Sequence, residues 1–200
     1  KIRVSPTSTR TAELARDVGI EVISLDEAKW LDITIDGADE FDSELNLIKG
    51  GGGALLQEKI VATASDQMIV IADIGKQVGT LGAFPLPVEL SPFGWQTTKS
   101  LLEEFLISMD VLRRDTTLRM NGSRPYVTDE GNYILDLHLG RSGNARQLAS
   151  VLNQIPGVVE NGLFMDICDI VVLGHGDGRG ETRDINEGTV EEGRLDFVES

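Results

Sequence analysis

The sequence contains little cysteine and no long apolar run, and each shortage excludes a class of protein. A single cysteine, Cys168, cannot build an internal disulfide framework, which fits a reducing compartment such as the cytoplasm. No apolar run approaches the roughly 20 residues that span a membrane. The opening residues, KIRVSPTSTR, contain no apolar signal region. We therefore expect a cytoplasmic protein that is not embedded in a membrane.

Basic residues are also scarce. The sequence has 18 Lys and Arg against 33 Asp and Glu, for a net charge of -15 at pH 7. This charge repels nucleic acids and anionic membranes, so neither is an expected partner. A solvated acidic surface is the simplest explanation of the charge. If the substrate is itself an anion, a few lysines must reverse the field at the site.

The order of the apolar runs predicts an α/β fold. At 200 residues, 40% of them apolar, the chain is long enough to bury a core. Runs near Ile33, Val70 and Val171 predict strands of a Rossmann-like, mostly parallel sheet. The run Met68–Ala72 is continuously apolar, which is typical of a strand buried on both faces.

A different pattern begins near residue 83. From 83 to 165 the predicted order is strand, helix, strand, strand, helix, strand, which is the ferredoxin-like order. We expect a small α+β domain here, inserted into a catalytic domain made of residues 1–82 and 166–200. Pro85 and Pro87 accompany the strand-like LPVEL, which predicts an edge strand.

The last segment, residues 174–200, is polar and acidic. Its composition is typical of a disordered tail. Three apolar residues near its end are the expected anchors, on this chain or on a partner: Leu195, Phe197 and Val198.

Polar residues of chemical interest concentrate in residues 31–59. An alternating run ends at Asp36, Gly37 permits a sharp turn, and Asp39 follows. A second apolar run ends at Lys49, directly before four glycines, Gly50–Gly53. In open α/β sheets ligands bind beyond the carboxyl ends of the strands, where Asp36 and Lys49 are expected.

A helix is predicted to begin after the glycines, near Ala54. Leu56, Ile60 and Ala64 share one side of it, and Glu58 lies one turn from its start, on the same side as Ala54, Val61 and Ala62. Further along, Lys76 follows the end of the next apolar strand, again on the ligand side of the sheet. Taken singly, each of these charged residues is equally well explained as a solvated loop or helix residue.

Nucleotide and metal sites fit this stretch poorly. A Walker loop places its lysine after the glycines and adds Ser or Thr, whereas Lys49 precedes them. The dinucleotide spacing fails because its last glycine falls on Leu55 or Leu56. The carboxylates between Asp36 and Asp42 lack EF-hand spacing, and no histidine is near to help bind zinc.

Proton transfer next to a carbonyl explains the set better. A carboxylate on a partly apolar helix face, such as Glu58, can have its pKa raised toward neutrality and act as a base. Lys49 and the N–H groups of the glycine loop can stabilise the developing oxyanion. Asp36 can move protons among sugar oxygens, with Asp39 binding hydroxyls. The residues alone do not choose among carbonyl substrates.

The motifs DGADEFD and IKGGGGALLQEK resemble the signature of ribose-5-phosphate isomerase, type A. The resemblance extends over most of the chain, through Val171–Gly174. It implies interconversion of ribose 5-phosphate and ribulose 5-phosphate through an enediolate, without cofactor or metal, in a homodimer or homotetramer. It also implies that Glu58 is the base, that Asp36 assists ring opening and that Lys76 approaches the phosphate. The implied substrate-binding residues are Asp36, Gly37, Ala38, Asp39, Lys49, Gly50, Gly51, Gly52 and Lys76.

The chain departs from that family at both ends. The family begins with a helix, a strand and a threonine-bearing phosphate loop, and in this sequence none of these precedes Lys1. We therefore expect residues 1–200 alone to be inactive or poorly folded, because a parallel sheet without a central strand exposes apolar edges. The acidic tail is longer than the family leads one to expect.

Two other functions remain open from the sequence. Some sugar-responsive repressors use a related fold only to bind sugar phosphates, but they have no use for a base at Glu58, and no helix-turn-helix is predicted here. A metal-dependent phosphosugar hydrolase would use the aspartates instead. An assay with a chelator separates the hydrolase from the isomerase.

Overall fold

The structure, a computed structural model, describes residues 2–194 as a chain of short strands and helices. The strands are β1 (Arg3–Val4), β2 (Glu21–Val22), β3 (Thr34–Asp36), β4 (Glu40–Phe41), β5 (Leu47–Ile48), β6 (Met68–Asp73), β7 (Leu86–Leu90), β8 (Asp115–Leu118), β9 (Met120–Asn121), β10 (Arg124–Pro125), β11 (Tyr133–His138), β12 (Val158–Asn161), β13 (Leu163–Phe164), β14 (Ile170–Gly174), β15 (Arg179–Asp184) and β16 (Gly188–Arg194). The helices are α1 (Thr9–Asp17), α2 (Leu25–Ala28), α3 (Leu55–Thr63), α4 (Trp95–Leu106) and α5 (Ala145–Leu152), with a 3-10 turn η1 (Ile74–Lys76).

The larger sheet has the order β16-β15-β14-β6-β3. Its strands β3, β6 and β14 are parallel, so the runs at Ile33, Val70 and Val171 form one parallel sheet as predicted. Burial of β6 differs from the prediction. Val70 is fully buried on one face, but Ile71 on the other is 56% exposed, so the described residues bury only one side of this strand.

The tail after residue 174 extends this sheet as a hairpin. Strand β15 pairs antiparallel with β14, and β16 pairs antiparallel with β15. Residues 179–194 are therefore ordered, although their composition alone is typical of disorder. Backbone pairing with β14 holds the hairpin in place, which composition cannot reveal. The expected anchors Leu195, Phe197 and Val198 lie outside the described residues.

The smaller sheet has the order β12-β7-β11-β8, and every pairing in it is antiparallel. Along the chain its elements follow as β7, α4, β8, β11, α5 and β12, which confirms the ferredoxin-like order. These elements fall within residues 83–165. The division of the chain into two domains at those bounds stays a prediction.

Strand β7 is central in this sheet, so the prediction of an edge strand is wrong. All five of its residues are buried between β11 and β12. The carbonyl and the nitrogen of a strand residue point to the same side, and at Pro87 this is the side of β12. The paired part of β12 ends at Asn161, opposite Val88, so the missing N–H of Pro87 faces no strand partner and the proline is tolerated. There the carbonyl accepts from Gly162 N, and no ladder hydrogen bond is lost.

A small third sheet, β13-β5-β4, connects the two larger ones. Consecutive side chains of β5 point to opposite faces. Leu47 therefore packs in the core beneath β6 and β14, while Ile48 packs in the core beneath the ferredoxin-like sheet. Lys49 follows directly, at the junction of the two cores.

The helices are short. The longest, α4, has 12 residues, against about 20 needed to cross a bilayer. Among the described residues no helix is long and apolar enough to span a membrane.

Candidate active site

The candidate site lies where β3 and β5 end. Strand β3 runs parallel to β6 with Asp36 opposite Val70, so the carboxyl ends of both strands lie at one edge of the sheet. Lys49 leaves β5 at the same place, and its backbone N–H donates to Gly162 O at 2.9 Å. The structure thus brings Asp36 and Lys49 together, as the strand ends predicted.

Lys49 is the centre of the cluster. Its side chain is only 3% exposed, and its ammonium lies 3.0 Å from Asp36 Oδ2 and 3.4 Å from Glu58 Oε2. It also donates to the carbonyl of Gly37 at 2.6 Å and lies 5.6 Å from the centroid of the Phe164 ring. One buried cation therefore contacts two carboxylates, which keeps both within reach of the same small ligand.

Glu58 lies in the first turn of α3, on the side of the helix that is buried. That side consists of Leu55, Val61 and Ala62, whereas Ile60 is 48% exposed. The helix was predicted, and so was the position of Glu58 on the side of Val61 and Ala62, which is buried. The other predicted side, which carries Ile60, is the exposed one. The buried side is the one that carries the glutamate, so Glu58 lies between apolar neighbours and Lys49.

The pKa of Glu58 is raised above its ordinary value, chiefly because burial disfavours the charged form. Lys49 acts against this by favouring the carboxylate, while Asp36 and Asp39 add to the increase. Oε2 has no hydrogen-bond partner among the described residues, since the 3.4 Å contact with Lys49 is an ion pair without hydrogen-bond alignment. The carboxylate therefore has an unused acceptor in a dry position.

The two aspartates have different neighbours. Asp36 accepts from the backbone N–H of Gly37 at 2.7 Å and pairs with Lys49. Asp39 instead accepts from Gly51 N at 2.7 Å, so it is tied to the glycine loop and not to the lysine. A Cβ at Gly51 would lie 2.5 Å from Asp39 Oδ1, which explains why this position needs glycine.

The loop Gly50–Gly53 is a tight turn. Gly53 N donates to Gly50 O at 3.0 Å, and both residues have positive φ, +101° at Gly50 and +86° at Gly53. Its N–H groups are thus unequally available: those of Gly51 and Gly53 are bonded, and that of Gly52 has no acceptor within residues 2–194. Gly52 is the exposed residue of the loop with a free donor.

Two residues of the ferredoxin-like unit reach this loop, and sequence reasoning missed both. Arg119 donates to the carbonyls of Gly50 and Gly51, and Tyr126 donates to that of Gly52 at 3.4 Å. Arg119 lies 69 residues from Gly50 along the chain, so no local spacing could have revealed the contact.

Lys76 is the last residue of η1, directly after β6, and is half-buried. It lies after a strand end, as predicted, but forms no ion pair with any described residue. The structure therefore leaves its charge available to a ligand. Within residues 2–194 no cluster of three His, Cys, Asp or Glu side chains is arranged to hold a metal ion.

The model of one protein family, described as Ribose 5-phosphate isomerase A (phosphoriboisomerase A), matches residues 3–178. The chain belongs to the ribose 5-phosphate isomerase A family. Its reaction is the interconversion of ribose 5-phosphate and ribulose 5-phosphate. The resemblance seen in the motifs around Asp36 and Lys49 is thereby confirmed, together with the α/β fold.

Relatives of this isomerase family match closely. The protein named Ribose-5-phosphate isomerase A in Ruegeria pomeroyi is 82% identical over 200 residues, which is 100% of this chain and 76% of that protein. A solved D-ribose-5-phosphate isomerase in complex with phospho-erythronic acid has a TM-score of 0.83 at 38% identity, covering 92% of this chain and 78% of its own. The enzyme of Plasmodium falciparum has a TM-score of 0.82 at 33% identity, covering 90% and 76%.

The acidic tail needs a correction from the same comparison. The family model ends at residue 178, but the match to the Ruegeria pomeroyi isomerase includes all 200 residues. The longer tail is therefore shared with that relative and is not peculiar to this chain.

Proposed function

We propose that Glu58 is the base of the isomerase reaction, with Lys49 as the electrostatic stabiliser and Asp36 as the second proton carrier. The observation that supports this most strongly is the buried ammonium of Lys49, 3.0 Å from Asp36 and 3.4 Å from Glu58. A base, a cation and a second carboxylate are the groups that an enediolate mechanism requires.

The chemistry balances without an external oxidant or reductant. Glu58 removes the proton from C2 of the open-chain aldose, the C–H electron pair forms a C1=C2 double bond, and O1 takes the negative charge. Lys49 stabilises that charge while Asp36 carries the O2 proton toward O1. Protonated Glu58 then returns a proton to C1 as O2 becomes the carbonyl, which gives the ketose.

The surroundings of Glu58 suit this role. A general base works best when its pKa is near the operating pH, and burial raises the pKa of Glu58 in that direction. Lys49 limits the increase, so the residue remains able to ionise. The apolar side of α3 supplies the dry environment, with Val61 and Ala62 both buried.

The substrate of the proposed site is a phosphosugar. Phospho-erythronic acid, bound by one solved neighbour, has a planar carboxylate next to a hydroxylated, phosphorylated chain. Its two carboxylate oxygens can stand in for O1 and O2 of the enediolate of ribose 5-phosphate, which lie on the adjacent carbons C1 and C2. We place the sugar against the site cluster and the phosphate near Lys76. The proposed binding residues are Asp36, Gly37, Ala38, Asp39, Lys49, Gly50, Gly51, Gly52 and Lys76.

Assembly and location belong to the same proposal. A homodimer or homotetramer agrees with the exposed aromatic and aliphatic side chains of the ferredoxin-like unit, such as Phe93, which is 91% exposed. A cytoplasmic location agrees with Cys168, a buried free thiol whose pKa burial raises to about 12. At that pKa the sulfur stays protonated and unreactive at neutral pH.

The experiment is to incubate the full-length protein with ribose 5-phosphate in deuterated water, with a chelator present. We expect ribulose 5-phosphate to form and to carry deuterium at C1, because the proton held by Glu58 exchanges with solvent. Formation of product without deuterium would indicate a hydride shift instead. Loss of activity on chelation, restored by a divalent cation, would favour a metal-dependent enzyme.

A further inference from the structure

The carbonyls of the glycine loop face the ferredoxin-like unit. Nη1 of Arg119 donates to Gly50 O at 2.9 Å and to Gly51 O at 3.1 Å. The hydroxyl of Tyr126 donates to the next carbonyl, Gly52 O, at 3.4 Å. Three consecutive peptide groups of the loop are therefore oriented by side chains that lie outside the motif containing it.

Arg119 is itself held rigidly. Its Nε and Nη2 donate to the two carboxylate oxygens of Asp136 at 2.9 and 2.5 Å, a bidentate pair. Its backbone N–H donates to Ile134 O at 2.8 Å, and Asp136 lies in β11 between β7 and β8. Because the guanidinium is planar, fixing two of its nitrogens on Asp136 determines where Nη1 points.

The direction of the carbonyls determines the direction of the N–H groups. In a trans peptide the C=O and the following N–H point to opposite sides. The Gly50–Gly51 peptide shows this: its carbonyl accepts from Arg119 and its N–H donates to Asp39 on the other side. In the Gly51–Gly52 peptide the carbonyl of Gly51 also accepts from Arg119. The N–H of Gly52 therefore points away from Arg119, toward the side where Asp39 lies.

We propose that Arg119, fixed by Asp136, is a positioning residue that aims the free N–H of Gly52 at the sugar oxygen that becomes negative in the enediolate. Gly52 N–H has no acceptor among the described residues, and its peptide is polarised by the guanidinium on Gly51 O. Such donors are effective only when they are oriented before the charge develops. Four successive glycines cannot hold that orientation alone, because glycine has the greatest backbone freedom.

This inference rests on the proposed enediolate reaction, and Arg119→Gln in the full-length protein tests it. We expect kcat to fall about tenfold to a hundredfold with KM little changed. Deleting an oxyanion donor costs ~100- to 1000-fold, and here the N–H remains but is no longer aligned. Arg119→Lys, which keeps the charge without the planar fork, should lie between wild type and Arg119→Gln. Arg124→Gln, the same change at an exposed arginine of β10, is the matched control and should retain full activity.

Two ligands separate positioning from a merely structural role. Phospho-erythronic acid has a planar, negatively charged carboxylate that can imitate the planar, negatively charged enediolate. Ribitol 5-phosphate has neither carbonyl nor carboxylate. We expect Arg119→Gln to weaken the binding of phospho-erythronic acid by about the same factor by which it lowers kcat. The binding of ribitol 5-phosphate should weaken by less than twofold. Equal weakening of both ligands, or no weakening of either, overturns the proposal. If Arg119→Gln fails to fold, the same two affinities measured on Arg119→Lys decide.

Coupling to Asp136 gives an independent readout. If Asp136 acts only by holding Arg119, Asp136→Asn combined with Arg119→Gln should reduce kcat no further than Arg119→Gln alone. Additive losses would contradict this. Failure of the proposed function looks different: wild type would not isomerise ribose 5-phosphate, or Glu58→Gln would keep its activity, whatever Arg119 variants do.

Discussion

Two buried glutamates, one at the strand-end site and one inside the ferredoxin-like sheet, differ in what surrounds them. The pKa of both Glu58 and Glu89 is raised, with burial as the largest cause in each. Glu58 lies 3.4 Å from the ammonium of Lys49, close to a glycine loop in which Gly51 and Gly52 are exposed. Glu89 is fully buried in β7, and its Oε1 accepts from two neutral donors, Thr128 Oγ1 at 2.8 Å and Asn132 Nδ2 at 2.9 Å.

This difference separates a candidate base from a structural carboxyl group. Each glutamate has an Oε2 without a hydrogen-bond partner among the described residues, so neither burial nor an unused acceptor distinguishes them. What Glu58 has in addition is a cation that stabilises developing negative charge and a neighbouring loop in which Gly51 and Gly52 are exposed. Glu89 has the sheet strands β11 and β12 on both sides of its own strand, and no cation of residues 2–194 forms an ion pair with it.

The largest effect is expected from Glu58→Gln. This change keeps the shape of the side chain but cannot accept a proton, and loss of a general base typically costs about a hundredfold to ten-thousandfold in rate. We expect kcat to fall by that amount, substrate affinity to change little, and exchange of the C2 proton with deuterated water to stop. Near-normal turnover and exchange would show that Glu58 is not the base and would favour a sugar-phosphate-binding module.

Lys49→Met removes the feature that Glu89 lacks. We expect kcat/KM to fall about 100- to 1000-fold, as when an oxyanion donor is lost. Lys49 also lowers the pKa of Glu58, so its removal should raise that pKa further and move the acid limb of the pH–rate profile to higher pH. A pH profile with an unmoved acid limb would contradict the assignment. Lys99→Met, at a lysine paired with Glu103 on α4, is the control.

Lys76→Ala tests the outer part of the site. We expect KM for ribose 5-phosphate to rise several-fold to about tenfold while kcat stays within about twofold, because a lysine near the phosphate acts on binding rather than on proton transfer. Added salt should weaken substrate binding to wild type more than to the variant, since it screens an exposed charge. Unchanged affinity in the variant would remove Lys76 from the phosphate site.

Glu89→Gln should have the smallest effect on activity, within about twofold. Its effect should appear in stability. Because the pKa of Glu89 is raised in the folded state, protonated Glu89 contributes to the free energy of unfolding. This contribution is fully present below the unfolded pKa of about 4.3 and is lost as pH rises through the folded value. The glutamine of the variant cannot ionise, so the variant does not lose this contribution. As pH rises from 4 to 7, the free energy of unfolding of wild type should therefore fall relative to that of Glu89→Gln. Parallel stability curves would show that Glu89 does not titrate in this range, and a large loss of turnover would undo the contrast with Glu58.

The sequence alone was sufficient for the cluster of Asp36, Lys49 and Glu58 and for the parallel order of β3, β6 and β14. The three charged residues lie within one short stretch, where a strand end, a glycine loop and a helix start leave few alternatives for their placement. The ferredoxin-like order was equally readable, because each of its elements has its own apolar period. These features depend on local periodicity and on short connections, which a sequence displays directly.

Tertiary structure decided the rest, because the remaining features depend on contacts between distant segments. The pairing of β7 with both β11 and β12 made it central, although its prolines indicate an edge. Of the two sides of α3 that the sequence describes, contacts with the rest of the fold bury the one with Val61, Ala62 and Glu58 and leave Ile60 48% exposed. Arg119 reaches the glycine loop because the ferredoxin-like sheet places Asp136 where it fixes the guanidinium, so residues 69 apart in the chain form a 2.9 Å hydrogen bond.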